Sequence, residues 1–230
     1  MSDRQSDIDT AEKLPAGADH YRAFVGPPQR YGLLSLSQLA LLFHLGLRDT
    51  DKVLDVGCGS LRLGRLLIPF LRPGGYHGIE PNSWLIEDGF KNELGESARQ
   101  LKLPQFSHSA DFDCTFFGTE FDFIVAQSII THAGHRNTSR LFETVSASLT
   151  PTGIFALSFW PAAAGAALPE PDWTYPFNVG YDPAWLASLA ERVGLDWRII
   201  PWRHPGLTWA IAGKALPSAV SFADGEWLAR

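Results

Sequence analysis

The chain has 230 residues, 45% hydrophobic and 19% charged, with a formal net charge of −6 at neutral pH. That length suits one domain with a substantial core, and the negative balance repels polyanions, so a nucleic-acid partner would need a local basic groove. Two cysteines, Cys58 and Cys114, give neither a disulfide framework nor metal-ligand spacing, so no metal is expected and a reducing, cytoplasmic setting fits. The start, Met1 to Asp19, is polar and lacks the apolar stretch of a secretory signal, and no run is long enough to span a bilayer.

In chain order, the first informative segment is Phe24 to Tyr31, where Pro27 and Pro28 predict an extended arm or lid over the surface. From Leu33 to Leu45, Leu36, Leu39, Ala40, Leu42 and Phe43 recur at three and four, the spacing of an amphipathic helix. Val53 to Val56 reads as a short apolar strand carrying Asp55 near its tip, followed by a turn with Gly57, Cys58, Gly59 and Ser60. The two glycines let the backbone bend tightly and approach a ligand, and the next helix offers unpaired N–H groups at its start. A dinucleotide turn needs a third glycine three residues after the second. Arg62 stands there and the next glycine is Gly64, so the nicotinamide fingerprint fails.

Leu63, Leu66, Leu67 and Phe70 continue as a helix that Pro69 should kink or end early. Tyr76 to Glu80 predicts a second strand ending in a carboxylate 25 positions after Asp55, suited to accept hydrogen bonds from both hydroxyls of a ribose. A helix from Asn82 to about Glu93, a strand from Gln105 to His108 and a buried strand from Phe121 to Ala126 follow. Beyond them come a helix from Thr138 to Leu149, a strand from Ile154 to Phe159 and a helix from Pro183 to Val193. The last strand pair is Asp196 to Trp202 with Thr208 to Gly213. The alternation predicts a doubly wound α/β fold, mostly parallel, with one antiparallel strand entering late.

The first strand, its acidic glycine-rich turn and Glu80 together resemble the class I S-adenosylmethionine (SAM)-dependent methyltransferases, over roughly Tyr31 to Lys214. The resemblance implies a Rossmann-like, seven-stranded sheet in the order three, two, one, four, five, seven, six, with helices on both faces. It implies SAM as cofactor, with S-adenosylhomocysteine as product. The turn of Asp55, Gly57, Cys58, Gly59 and Ser60 would lie against the methionine part, and Glu80 with Pro81 would hold the ribose. Ala110 and Asp111, preferred to Asp113, would meet the adenine, and Gln127 would border the methyl group. The expected organisation is a flexible N-terminal segment over residues 1–20, one SAM-binding domain over 21–216 and a tail over 217–230. Another nucleotide in a Rossmann-like enzyme, or a lapsed binding domain, is the alternative.

Ligands of open parallel sheets bind beyond the carboxyl ends of the strands, so the polar run after the fourth strand is the expected acceptor site. Gln127 and Ser128 could position an acceptor there, and His132 could take its proton; the alternative for His132 is a loop histidine satisfied by backbone groups. Tyr31, Arg30 or Arg62 could meet a ligand carboxylate, against plain anchoring or solvation. Trp160, Trp173, Tyr175, Phe177, Tyr181 and Trp185 fall within 26 positions and could wall a pocket, with Trp185 read as core and Trp160 and Trp173 open between the two.

The expected activity is methylation of a small-molecule acceptor, most readily a hydroxyl on a saccharide or biosynthetic intermediate. The alternatives are methylation of an amine, carboxylate or sulfur, a SAM-binding module without turnover, and RNA methylation if Arg62, Arg65, Arg72, Arg136, Arg140, Arg198 and Arg203 converge. A monomer or homodimer is expected, the latter through Val220, Phe222, Trp227 and Leu228 of the tail.

Overall fold

The computed structural model describes residues 2–217, with side chains from Asp7 onward. The tail residues Val220, Phe222, Trp227 and Leu228 lie outside the described residues. The chain falls into two compact units, Met1–Phe112 and Asp113–Arg230.

The first unit runs α1 (Ser2–Ala11), α2 (Tyr21–Phe24), a 3-10 turn (Pro28–Arg30), α3 (Tyr31–His44), β1 (Val53–Val56), α4 (Gly64–Phe70) and β2 (Tyr76–Ile79). It continues with α5 (Ser83–Gly89), a π-helical turn (Phe90–Leu94), α6 (Glu96–Lys102) and β3 (Gln105–Ser107). Its strands lie parallel in the order β3-β2-β1, with Asp55 opposite Gly78 and His77 opposite Gln105. Every residue of β1 and β2 is buried, as parallel strands covered on both faces require. The order matches the first half of the expected sheet.

Within the N-terminal segment, Ser2–Ala11 forms helix α1. One expectation changes here. The segment Phe24 to Tyr31 is not extended: it closes α2 and then forms the 3-10 turn, with Pro27 at the cap and Pro28 in the first helical position. A proline there gives up an N–H that would have no helical partner, so the ring starts a helix rather than preventing one. Pro69 acts as expected, and α4 ends one residue later.

The second unit runs through a 3-10 turn (Cys114–Phe117), β4 (Phe121–Ala126), α7 (His135–Ser148), β5 (Leu149–Pro161), β6 (Gly180–Tyr181), α8 (Pro183–Arg192), β7 (Asp196–Ile200) and β8 (Thr208–Gly213). The order is β4-β5-β8-β7, with β4 and β5 parallel and β8 antiparallel to both neighbours, which is the late reversal the sequence predicts. The two-residue β6 is an addition, pairing in parallel with Trp160 and Pro161. Asp182 caps α8 by accepting from the Ala184 N–H at 2.9 Å, with Pro183 opening the helix. Cys114 is buried, and burial pushes its thiol up to about 12.

Candidate active site

In the first unit the turn after β1 is fixed from below and from the side. Gly57 and Cys58 both donate their N–H to the Ile79 carbonyl at the end of β2, at 2.8 and 3.1 Å. Gly57 (φ 69°) and Gly59 (φ 53°) adopt left-handed backbone, which explains glycine at both positions. Glu80 closes the turn: Oε2 accepts from the Gly59 N–H at 3.1 Å, while Oε1 accepts from the Asn82 N–H at 2.9 Å and the Asn82 amide at 2.8 Å. Burial raises the carboxyl pKa of Glu80, and those donors pull it back.

A carboxylate offers about four acceptor positions, so three donors leave one on Oε2. A single hydroxyl can therefore join without displacing any of these donors.

Asp55 stands below the turn, 5% exposed, and accepts from the Tyr76 hydroxyl at 2.9 Å. Loss of water raises its pKa to about 6 against the opposing pull of that hydroxyl and of Arg62. Cys58 points inward: a Cβ at Gly78 would lie 2.8 Å from its sulfur, and burial pushes the thiol pKa well up. Ser60 is fully buried, and its carbonyl accepts from the Tyr31 hydroxyl at 3.0 Å.

Tyr31, expected to face a ligand or the surface, is thus 2% exposed and supports the turn from within. Arg62 differs too, since its Nη1 donates to the Val25 carbonyl at 2.7 Å and ties the preceding arm to the turn. Val25 completes that tie: a Cβ on Gly59 would lie 2.6 Å from its Cγ1. Pro81, Ala110 and Asp111 are exposed, and Asp111 bonds back to Ser109. Asp113 caps the turn at Cys114–Phe117 through the Thr115 N–H at 2.9 Å.

In the second unit, the polar run after β4 is held in a strained bend. Ser128 sits at φ 61°, unusual for a residue with a side chain, while its N–H donates to Ser158 Oγ at 2.8 Å and its Oγ lies 3.2 Å from Thr131 Oγ1. Gln127 is buried, with its side-chain amide 3.4 Å from His204 Nε2. The Leu207 N–H donates to His204 Nδ1 at 3.3 Å, and Gln127 Nε2 is the amide atom that faces the ring.

His132 is 8% exposed, and its Nδ1 lies 2.9 Å from the Phe177 carbonyl. A carbonyl can only accept, so Nδ1 carries the proton and Nε2 presents a lone pair. Burial lowers the imidazole pKa, partly offset by that carbonyl. Tyr175 meets the ring edge-on at 4.9 Å and Trp173 lies tilted at 5.8 Å. The bend thus gathers His132, Trp173, Tyr175 and Phe177. Trp160, half exposed, is not core and stands beside Gly206, and Trp185 stacks on Tyr181 at 5.2 Å.

A family model described as a methyltransferase domain matches residues 54–155, the stretch that begins in β1 and ends in β5. Over that stretch the chain is similar to methyltransferase domains. The probable methyltransferase PMT7 of Arabidopsis thaliana is 28% identical to it over 152 residues, covering 65% of this chain, and the chain spans 23% of that relative's length. The DhpI–SAH complex is similar over 92% of this chain and 98% of its own, at 17% identity and a TM-score of 0.60. The magnesium protoporphyrin IX methyltransferase ChlM of Synechocystis PCC 6803, with bound SAH, matches 93% of this chain and 94% of its own at 14% identity and a TM-score of 0.59. These likenesses establish the methyltransferase fold. Among the described residues, no group of three or more His, Cys, Asp or Glu could hold a metal ion, and no helix is long and apolar enough to cross a membrane.

Sequence reasoning missed Val25 and the Phe177 carbonyl. An aliphatic side chain and a backbone oxygen carry no signal in residue type, although the dense prolines and aromatics around Phe177 marked its segment.

Proposed function

We propose that this protein is a SAM-dependent methyltransferase acting on the hydroxyl group of a small molecule. One observation carries the acceptor reading: His132 has its proton held on Nδ1 by the Phe177 carbonyl, so Nε2 is ready to accept another. The residues of the first unit fit the cofactor. A buried carboxylate with a remaining acceptor position closes the turn, and two left-handed glycines bring its backbone within reach of a ligand. Glu80 would hold a ribose hydroxyl, the turn from Gly57 to Ser60 would face the amino-acid end, and Asp111 would meet the adenine.

SAM supplies an electrophilic methyl group through its sulfonium. What remains for the protein is placement and proton removal: in the second unit Ser128 and Gln127 would orient an acceptor hydroxyl, His132 Nε2 would take its proton and the imidazolium would return it to water, while bound SAM would supply the methyl group and leave as S-adenosylhomocysteine. Orientation is the larger contribution, on the order of 7–11 kcal/mol of barrier, while a general base adds about 10²–10⁴-fold.

Calorimetric titration with SAM, followed by an acceptor screen read by S-adenosylhomocysteine release, tests both halves. Binding of NAD in place of SAM would overturn the cofactor assignment. Release driven by amines but by no alcohol or phenol would overturn the acceptor.

A further inference from the structure

The segment carrying residues 169–179 is sewn to the bend at His132 on both sides. His135 N–H donates to the Pro169 carbonyl at 2.9 Å, Gly134 to Asp172 at 3.1 Å, Thr174 to His132 at 2.8 Å and Val179 to Thr131 at 2.7 Å. On this fixed frame Trp173 is 49% and Phe177 77% exposed. Large rings held rigidly in contact with water have a low ordering cost on binding and a large apolar area to contribute.

Two polar side chains beside those rings are engaged within the chain. Thr174 Oγ1 lies 2.8 Å from the Phe177 carbonyl and 3.1 Å from that of His132. Asp172 pairs with Arg136 at 3.4 Å. A saccharide brings several hydroxyls, each of which loses free energy if it leaves water unpaired. A flat apolar ring brings none of these. Acidity points the same way, since a phenolic proton with pKa about 10 passes to a neutral imidazole far more readily than one held about as tightly as in bulk water, about 15.7.

We propose that the acceptor is an aryl alcohol whose ring lies against Trp173 and Phe177 with its hydroxyl directed at His132 Nε2. The inference rests on the hydroxyl-acceptor reading and narrows it, replacing a sugar with a phenol. In the reaction the phenolic O–H would give its proton to Nε2 and an oxygen lone pair would form the new bond to the methyl carbon of SAM, while the carbon–sulfur bond breaks with its electron pair leaving on S-adenosylhomocysteine, yielding an aryl methyl ether.

The test uses the full chain saturated with S-adenosylhomocysteine and titrated with 2-naphthol or, for comparison, methyl β-glucopyranoside. Saturable binding of 2-naphthol is expected, weakened about tenfold or more in Trp173→Ala and in Phe177→Ala and largely kept in Trp173→Phe, in line with stacking contributions of about 1–3 kcal/mol per ring. No saturation is expected with the glucoside. Equal naphthol affinity in all four proteins, or saturation by the glucoside alone, overturns the proposal.

S-adenosylhomocysteine release from SAM separates the two readings. Ring-dependent naphthol binding without release under any phenol would sink the hydroxyl-transfer reading and leave the platform. Release with the glucoside and not with naphthol would sink the platform and leave the transfer.

Discussion

Asp55 and His132 are moved in opposite senses by one cause, the loss of water around a charge, and each shift has a measurable consequence. For His132 the neutral form is favoured, so the base survives acidification past the ordinary histidine value of 6.5. The pH profile of kcat should fall only below pH 6.5, and His132→Ala should lower turnover about 10²-fold or more, abolish that acid limb and leave SAM affinity nearly unchanged. For Asp55 the folded pKa of about 6 exceeds the ordinary carboxyl value of 3.8. The proton it holds stabilises the fold fully below pH 3.8, and this contribution is lost as pH rises through 6. Asp55→Asn, which can still accept from Tyr76, should therefore be more stable than the natural protein at pH 7, by roughly 1–3 kcal/mol in urea unfolding, and flatter with pH between 4 and 6. Both residues were legible in the sequence because their chemistry lies in side-chain type and position at strand ends. The role of Tyr31 was not, because the sequence cannot show that its hydroxyl turns inward to Ser60.

At the scale of elements, α2 and the following turn form a strap across the loop after β1, held by Arg62 on the Val25 carbonyl and by Val25 against Gly59. Gly59→Ala should cost about 1–2 kcal/mol for the left-handed backbone alone and more for the clash. Adding Val25→Ala should recover the clash and not the backbone share, a coupling that a double-mutant cycle by thermal unfolding will measure. A second tie is the buried pair of Arg22 and Glu93, whose side chains are 14% and 3% exposed, with Tyr21 also donating to Glu93 at 3.0 Å. Glu93→Gln should destabilise by about 3–5 kcal/mol and expose the strap to trypsin after Arg22 and Arg30. The principal strands and most helices were readable from apolar runs and periodicity. Helix α6 was not, because it buries no residue and so leaves no apolar pattern, and two-residue β6 is too short to produce one.

For the whole molecule, the net charge of −6 sets the partners that long-range forces can gather. Retention of RNA should be absent at about 0.15 M salt, where the Debye length is about 8 Å, and any weak binding at low salt should lack the steep salt dependence of a phosphate-neutralising groove. A steep dependence, measured by filter binding, would reopen an RNA acceptor. The late antiparallel strand followed from alternation in the sequence, because chain connectivity permits few sheets, whereas the strand orders within the two units were implied by the family resemblance. Which aromatic rings face water did not follow, since that is decided by how residues 169–179 fold back on the bend.

Both thiols, Cys58 against Gly78 and Cys114 beneath the turn it opens, are sealed from solvent and held in the protonated, unreactive form. Maleimide chemistry should pass them by, so a cysteine introduced at exposed Arg30 would take a fluorophore alone and report the strap's motion without first stripping the native sulfurs.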